Sequence, residues 1–155
     1  MNKDFKVAYH EDFYGWTQQQ AEALAKKQLS ALDWENLYEE ICSLGKQEYR
    51  ELVSRITVLI GNLLKWEYQP EKRCRGWFLT IREQRRAIRR HLSRNPSLKS
   101  RLQESLEDGF EAGLDLALRE TNLPLRVFPT DCPYDFEDII TDSFLCDTTQ
   151  DWDFG

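Results

Sequence analysis

The sequence is short of the residues that break helices and of those that build sheets. Among 155 residues it has only seven glycines and five prolines. Valine is scarce, while Leu, Glu, Gln, Arg and Lys are plentiful. Unbranched side chains lose little rotamer freedom in a helix, so this balance argues against a sheet-rich fold. No stretch approaches the ~18 apolar residues that read as membrane-spanning. The opening "MNKDFKVAYHEDFYGW" has no apolar run of signal-peptide length and is charged at Lys3, Asp4, Lys6, Glu11 and Asp12. A soluble, cytoplasmic chain without membrane contact is expected.

Metal-binding and catalytic residue types are equally sparse. The only histidines are His10 and His91, and neither has a Cys or His at ligand spacing. The cysteines, Cys42, Cys74, Cys132 and Cys146, form no Cys-x-x-Cys pair, so reduced thiols are the default. No metal and no cofactor is expected. There is no glycine-rich phosphate loop and no suggestion of a Ser-His-Asp or Cys-His set, so no catalytic residue is assigned. His91 reads as a dipole partner at a helix C-terminus. Cys74, between Lys72, Arg73 and Arg75, lies where cations favour a thiolate, although a chance loop cysteine is the simpler reading.

What is present points to helices. With 41% hydrophobic and 12% aromatic residues, the chain can fill a core. Thr17 with Gln20 reads as a capping box opening a helix over about 18–28. Asp33 reads as the next N-cap. Leu37, Ile41 and Leu44, then Leu52, Ile56, Leu59 and Leu63, recur at helical spacing and predict a helix over 34–67. Gly45 could kink it, whereas Gly61 marks close packing against a neighbour. Pro70 ends the run. A loop over 69–76 leads to a helix over 77–93. Asn95-Pro96 then opens a helix to about 121, which Asn122 can end in the left-handed conformation. A short helix at 135–141, capped by Asp135, lies in an irregular acidic segment. The expected fold is all-α: one domain over 1–145, a bundle of about five helices. The two long helices form an antiparallel core with the arginine-rich one. The acidic tail over 146–155 need not be ordered.

Charge is unevenly distributed. Residues 65–94 hold ten bases against three acids, in a chain whose net charge is −6. On a helical wheel Trp77, Ile81, Ile88 and Leu92 share one side with Gln84 beside them. Arg82, Arg85, Arg86 and Arg89 fall on another. Between 130 and 155 there are eight acids and no Lys or Arg. These acids can claim the arginines, or the arginines can meet phosphates with Trp66, Trp77 or Tyr68 stacking on bases. The acidic sequence pI of about 5.0 argues against the second.

"ENLYEEICSLGKQEYREL" (35–52), "LLKWEYQPEKRCRGWFLTIREQRRAI" (63–88) and "FPTDCPYDFEDII" (128–140), with "DFYGWTQQQAEAL" (12–24), resemble the bacterial family catalogued as domain of unknown function 29. The resemblance covers about residues 8–145. It implies a small all-helical cytosolic bacterial protein, common in cyanobacteria, and implies no activity.

Three functions are weighed on these residues. First comes a non-enzymatic protein–protein interaction or accessory module, with another protein or a second copy as partner. Its surface is drawn from Glu39, Glu40, Lys65, Tyr68, Gln69, Arg82, Gln84, Arg85, Arg86 and Arg89. Second comes a nucleic-acid-binding accessory protein using the arginine face of the 77–93 helix. Third comes an enzyme with a Glu/Arg/Gln pocket. For that pocket residues the competing explanation is a buried polar network that fixes helix register.

Overall fold

Asp12, not Thr17, opens the first helix. In the computed structural model, which describes residues 9–155, its carboxylate accepts from the Gly15 amide at 2.9 Å and starts α1 at Phe13–Ala25. A charged acceptor one turn earlier captures the free amides first. Thr17 is therefore inside the helix, its hydroxyl donating to the Tyr14 carbonyl. α1 closes in a Schellman turn: the Gln28 amide donates to the Ala23 carbonyl and the Lys27 amide to the Leu24 carbonyl, with Lys27 left-handed at φ 55°.

The second α-helix, α2, runs from Trp34 to Tyr68 without interruption, so Gly45 does not break it. Asp33 caps it as expected, its Oδ1 accepting from the Asn36 amide at 3.3 Å. The chain forms two compact units, 1–47 and 48–155, and α2 contributes its first part to one and the rest to the other.

The first unit has a small core of Trp16, Ala23 and Leu32. Asp33 organises it, because Trp16 Nε1 donates to its Oδ2 at 3.1 Å and Asn36 Nδ2 to the same oxygen at 2.7 Å. Gln20 is buried and accepts from the Asp33 amide at 2.7 Å. Tyr9 rests its ring edge on Trp16 and donates its hydroxyl to Glu40 at 2.6 Å.

The second unit holds the remainder of α2, then α3 (Arg75–Arg94), α4 (Leu102–Glu120) and the one-turn α5 (Phe136–Ile139). Leu52, Ile56, Leu59 and Leu63 are fully buried, as their spacing predicts. α3 runs antiparallel to α2: Lys65 lies over the Trp77 ring, Arg55 donates to Gln84, and His91 reaches Glu48. α4 runs parallel to α2, since Gly109 faces Ile56, Gly113 faces Ile60, and Lys65 pairs with Glu120. The two long helices are thus parallel to each other, because two chain reversals separate them, and both run antiparallel to the arginine-rich α3, as expected. Gly61 packs tightly, as its position suggests. A Cβ placed there would lie 2.5 Å from Leu116 Cδ2 and 3.2 Å from the Gly113 carbonyl oxygen.

Other helix ends also depart from expectation. Residues Pro96–Arg101 form a 3-10 turn and α4 begins only at Leu102. α4 ends with Thr121 extended, its hydroxyl donating to the Ala117 carbonyl at 2.7 Å, and Asn122 is not left-handed. Asp135 precedes α5 without a side-chain cap. Residues 146–155 pack on the core. Cys146 and Thr148 are buried, and Trp152 and Phe154 set their rings edge-on to the buried Trp66. Among the described residues there is no strand.

Candidate interaction surfaces

The arginine face of α3 differs from its wheel in one respect. Arg85 is buried, not outward. Its Nε donates to the Ile139 carbonyl at 2.8 Å, Nη1 to the Cys146 carbonyl at 2.7 Å and the Asp142 carbonyl at 3.1 Å, and Nη2 to the Phe144 carbonyl at 2.7 Å. Burial pulls this guanidinium below its ordinary pKa, and Asp142 is among the groups that counter it. Leu145 is left-handed at φ 54°, between the two carbonyls of 144 and 146 that turn onto the same side chain. The tail therefore docks through backbone carbonyls and aromatic rings. Its carboxylates have a small part, with Arg89 to Asp142 at 3.3 Å.

Other proposed surface residues also turn inward. Lys65 is buried and paired with Glu120, and Gln69 is buried. Trp66 is fully buried with Arg73 4.8 Å above its ring, so it offers no face to a base. Tyr68 is half-buried against Phe128, and Gln84 is half-buried beside Arg55. Glu40 accepts from Tyr9, while Glu39 is exposed. Of the two arginines that could serve a carboxylate–glutamine pocket, Arg85 and Arg82, Arg85 is committed to carbonyls.

Arg82, Arg86 and Arg89 do share a face, which also carries Arg90. Arg86, Arg89 and Arg90 are exposed and Arg82 is half-buried. Arg82, Arg86 and Arg90 have no carboxylate partner among the described residues. A cleft of about 260 Å³ beside them is lined by Arg75, Phe78, Arg82, Thr148 and Trp152. At the other end of α3, His91 is buried and its Nε2 meets the Glu48 carbonyl at 2.8 Å. Its ring also lies 3.6 Å from the Glu48 carboxylate and 3.4 Å from that of Glu51. Sequence spacing missed this trio because its acids sit on another helix.

The largest feature that the sequence reading missed is on α2. Trp34, Tyr38 and Ile41 lie in the same sector of the helix as Leu52, Ile56, Leu59 and Leu63, within roughly 60° at 100° per residue. In the second unit that sector is buried. In the first it is open: Trp34 is 63%, Tyr38 66% and Ile41 67% exposed, and Leu44 beside them is 59% exposed. α3 reaches only to the level of Glu48, where Asn95 Nδ2 meets the Glu48 carboxylate. Of the residues expected in the core, Leu37 is half-buried while Ile41 and Leu44 are exposed.

The fold and these surfaces define an all-helical protein with an uncovered apolar helix face and a separate arginine face. It belongs to the family described as Domain of unknown function DUF29, whose model matches residues 8–145. No curated protein and no solved structure matches the chain. Among the described residues no helix is long and apolar enough to cross a membrane.

Proposed function

We propose that the chain is a non-enzymatic protein–protein interaction module that works through the apolar stripe at the start of α2. The observation that carries this is the exposure of Trp34, Tyr38, Ile41 and Leu44 on one side of a single helix. Scattered apolar residues on a surface need no explanation, but a contiguous large patch marks an interaction site. Amphipathic helix faces are met by apolar grooves or by other helices, with anchors at i, i+3, i+4 and i+7. The stripe has that spacing. This surface differs from the residues first considered, none of which lies on the stripe.

The test is affinity capture from the native host at low salt, with and without nuclease, using wild type and Ile41→Glu. A protein recovered by wild type despite nuclease, and lost with Ile41→Glu, supports the reading. Recovery that is indifferent to Ile41 removes it.

A nucleic-acid-binding role is the second reading, favoured by Arg82, Arg86 and Arg90 standing without acidic partners among the described residues. Phosphate contacts would make binding fall steeply with salt. Arg86→Ala with Arg90→Ala should then weaken binding to single-stranded DNA at low salt. No binding by wild type at low salt removes this reading.

A further inference from the structure

We infer that His91, Glu48 and Glu51 bind a divalent transition-metal ion of the zinc class, which clips the end of α3 to α2. Glu48 and Glu51 are three residues apart on α2 and so share a face, and His91 reaches that face from α3. One ligand atom from each of the three lies within 4.8 Å of the others. The histidine side chain is only 7% exposed, so its orientation is held by packing. Its Nε2 lies 2.8 Å from the Glu48 backbone carbonyl. A carbonyl only accepts, so the proton is on Nε2 and a neutral ring keeps its lone pair on Nδ1. A backbone carbonyl on the far nitrogen is the usual support of a metal-bound imidazole.

Nδ1 faces Glu51 Oε2 at 3.4 Å. Two acceptors that face each other need a cation between them. A proton is the competing occupant, but a charge-assisted N–H···O bond closes to about 2.7–2.9 Å. Ligands about 2.0–2.1 Å from a tetrahedral zinc stand about 3.4 Å apart, which is the spacing observed. Both carboxylates are held from outside. Arg55 donates to Glu51 Oε1 through Nε at 3.2 Å and Nη2 at 3.0 Å, which leaves Oε2 to the histidine. Asn95 Nδ2 donates to Glu48 Oε2 at 3.3 Å. Two carboxylates against the one guanidinium of Arg55 leave the site negative. The glutamate side chains are 47% and 44% exposed, so an ion reaches them from solvent and water completes its coordination. One imidazole with carboxylates selects zinc over calcium, which takes oxygen ligands alone.

Isothermal titration of ZnCl2 into the chelator-stripped full chain tests the site. One ion should bind per chain with a Kd on the order of 10 µM, and Ca2+ should bind at least about tenfold more weakly. Glu51→Gln and Glu48→Gln keep size and hydrogen bonding at open positions, so helix content by circular dichroism should be unchanged. Each should weaken zinc binding about tenfold or more, and His91→Gln should abolish it. Two further readouts separate this site from the thiols. Zinc should move the Nδ1 resonance of His91 in 15N spectra and leave that of His10 in place. Co2+ bound here should show no thiolate charge-transfer band. Excess zinc should also raise the thermal midpoint of wild type by about 5 °C or more, and that of Glu51→Gln by less. No zinc binding at about 1 mM overturns the inference. Binding that both glutamine variants of the acids leave intact, or that shows the thiolate band, overturns it equally.

Discussion

Arg85 Nη1 donates to the carbonyl of Cys146 at 2.7 Å, across 61 positions of sequence. The guanidinium thereby ties α3 to a segment with little regular structure of its own. A buried donor set that meets four carbonyls costs most when it is removed, because the acceptors are then left unsatisfied. Arg85→Met should destabilise the protein by about 3 kcal/mol or more in urea unfolding. Arg85→Lys keeps the charge but lacks the planar fork, and should recover only part of that loss. Hydrogen exchange should show protection lost first over 139–148. A loss under about 1 kcal/mol would mean that the aromatic contacts of Trp152 and Phe154 hold the segment.

The same contact removes one simple experiment on the tail. Deleting 143–155 would strip away the Phe144 and Cys146 carbonyls along with the acids. Any gain in nucleic-acid binding by such a deletion would report lost structure, not uncovered arginines.

Two glycines should respond oppositely to one methyl group. At Gly109 a Cβ would collide with Ile56 on the facing helix, with the Ile56 Cβ at 2.9 Å. Gly109→Ala should cost about 1–3 kcal/mol through overpacking. At Gly45 nothing lies within 4 Å. Gly45→Ala should stabilise by about 0.5–1 kcal/mol through helix propensity. Thermal unfolding checks both.

Much of the fold is legible in the residues, and the misses share a cause. The stripe Leu52, Ile56, Leu59 and Leu63 is a core from spacing alone, and Gly61 reads correctly as a close approach. Spacing does not say how far a partner helix extends, so it places Ile41 and Leu44 in the same core. Only the end of α3 near Glu48 shows where cover stops. Charge alone sets Arg85 outside. Its wheel position, roughly 20° from Leu92, places it beside the core. Four carbonyls from a distant segment make burial tolerable, and no local pattern announces them. The parallel course of α2 and α4 likewise depends on counting two reversals, which helix signals alone do not reveal.

The end of α1 offers a stabilising change. Lys27 sits at the C′ position of a Schellman turn with φ 55°. A side chain there meets its own backbone, and glycine does not. Lys27→Gly should raise stability by about 0.5–1 kcal/mol if the first unit unfolds with the measured transition. Lys27→Val, β-branched in a left-handed site, should lower it. Chemical denaturation of the three proteins gives the order. Equal midpoints for glycine and valine would contradict the turn.

Alkaline pH should loosen the tail through Cys146. Burial lifts its thiol from 9.0 to about 11, with Arg85 and Arg73 pulling the other way. The folded state thus holds a proton that the unfolded chain releases first. Its contribution is fully present below pH 9, falls as the unfolded thiol ionises, and is lost once pH passes about 11. The loss should reach at most about 3 kcal/mol. Tyr49, lifted to about 12 by burial and its bond to Asp108, continues the decline at higher pH. Cys146→Ala should flatten the slope between pH 9 and pH 11 while leaving the steeper limb that belongs to the tyrosines. Thiol labelling provides a second check, because Cys146 should react more slowly than the half-buried Cys42 and Cys74 until the segment opens. Unchanged slope in the alanine variant would place the alkaline transition elsewhere in the chain.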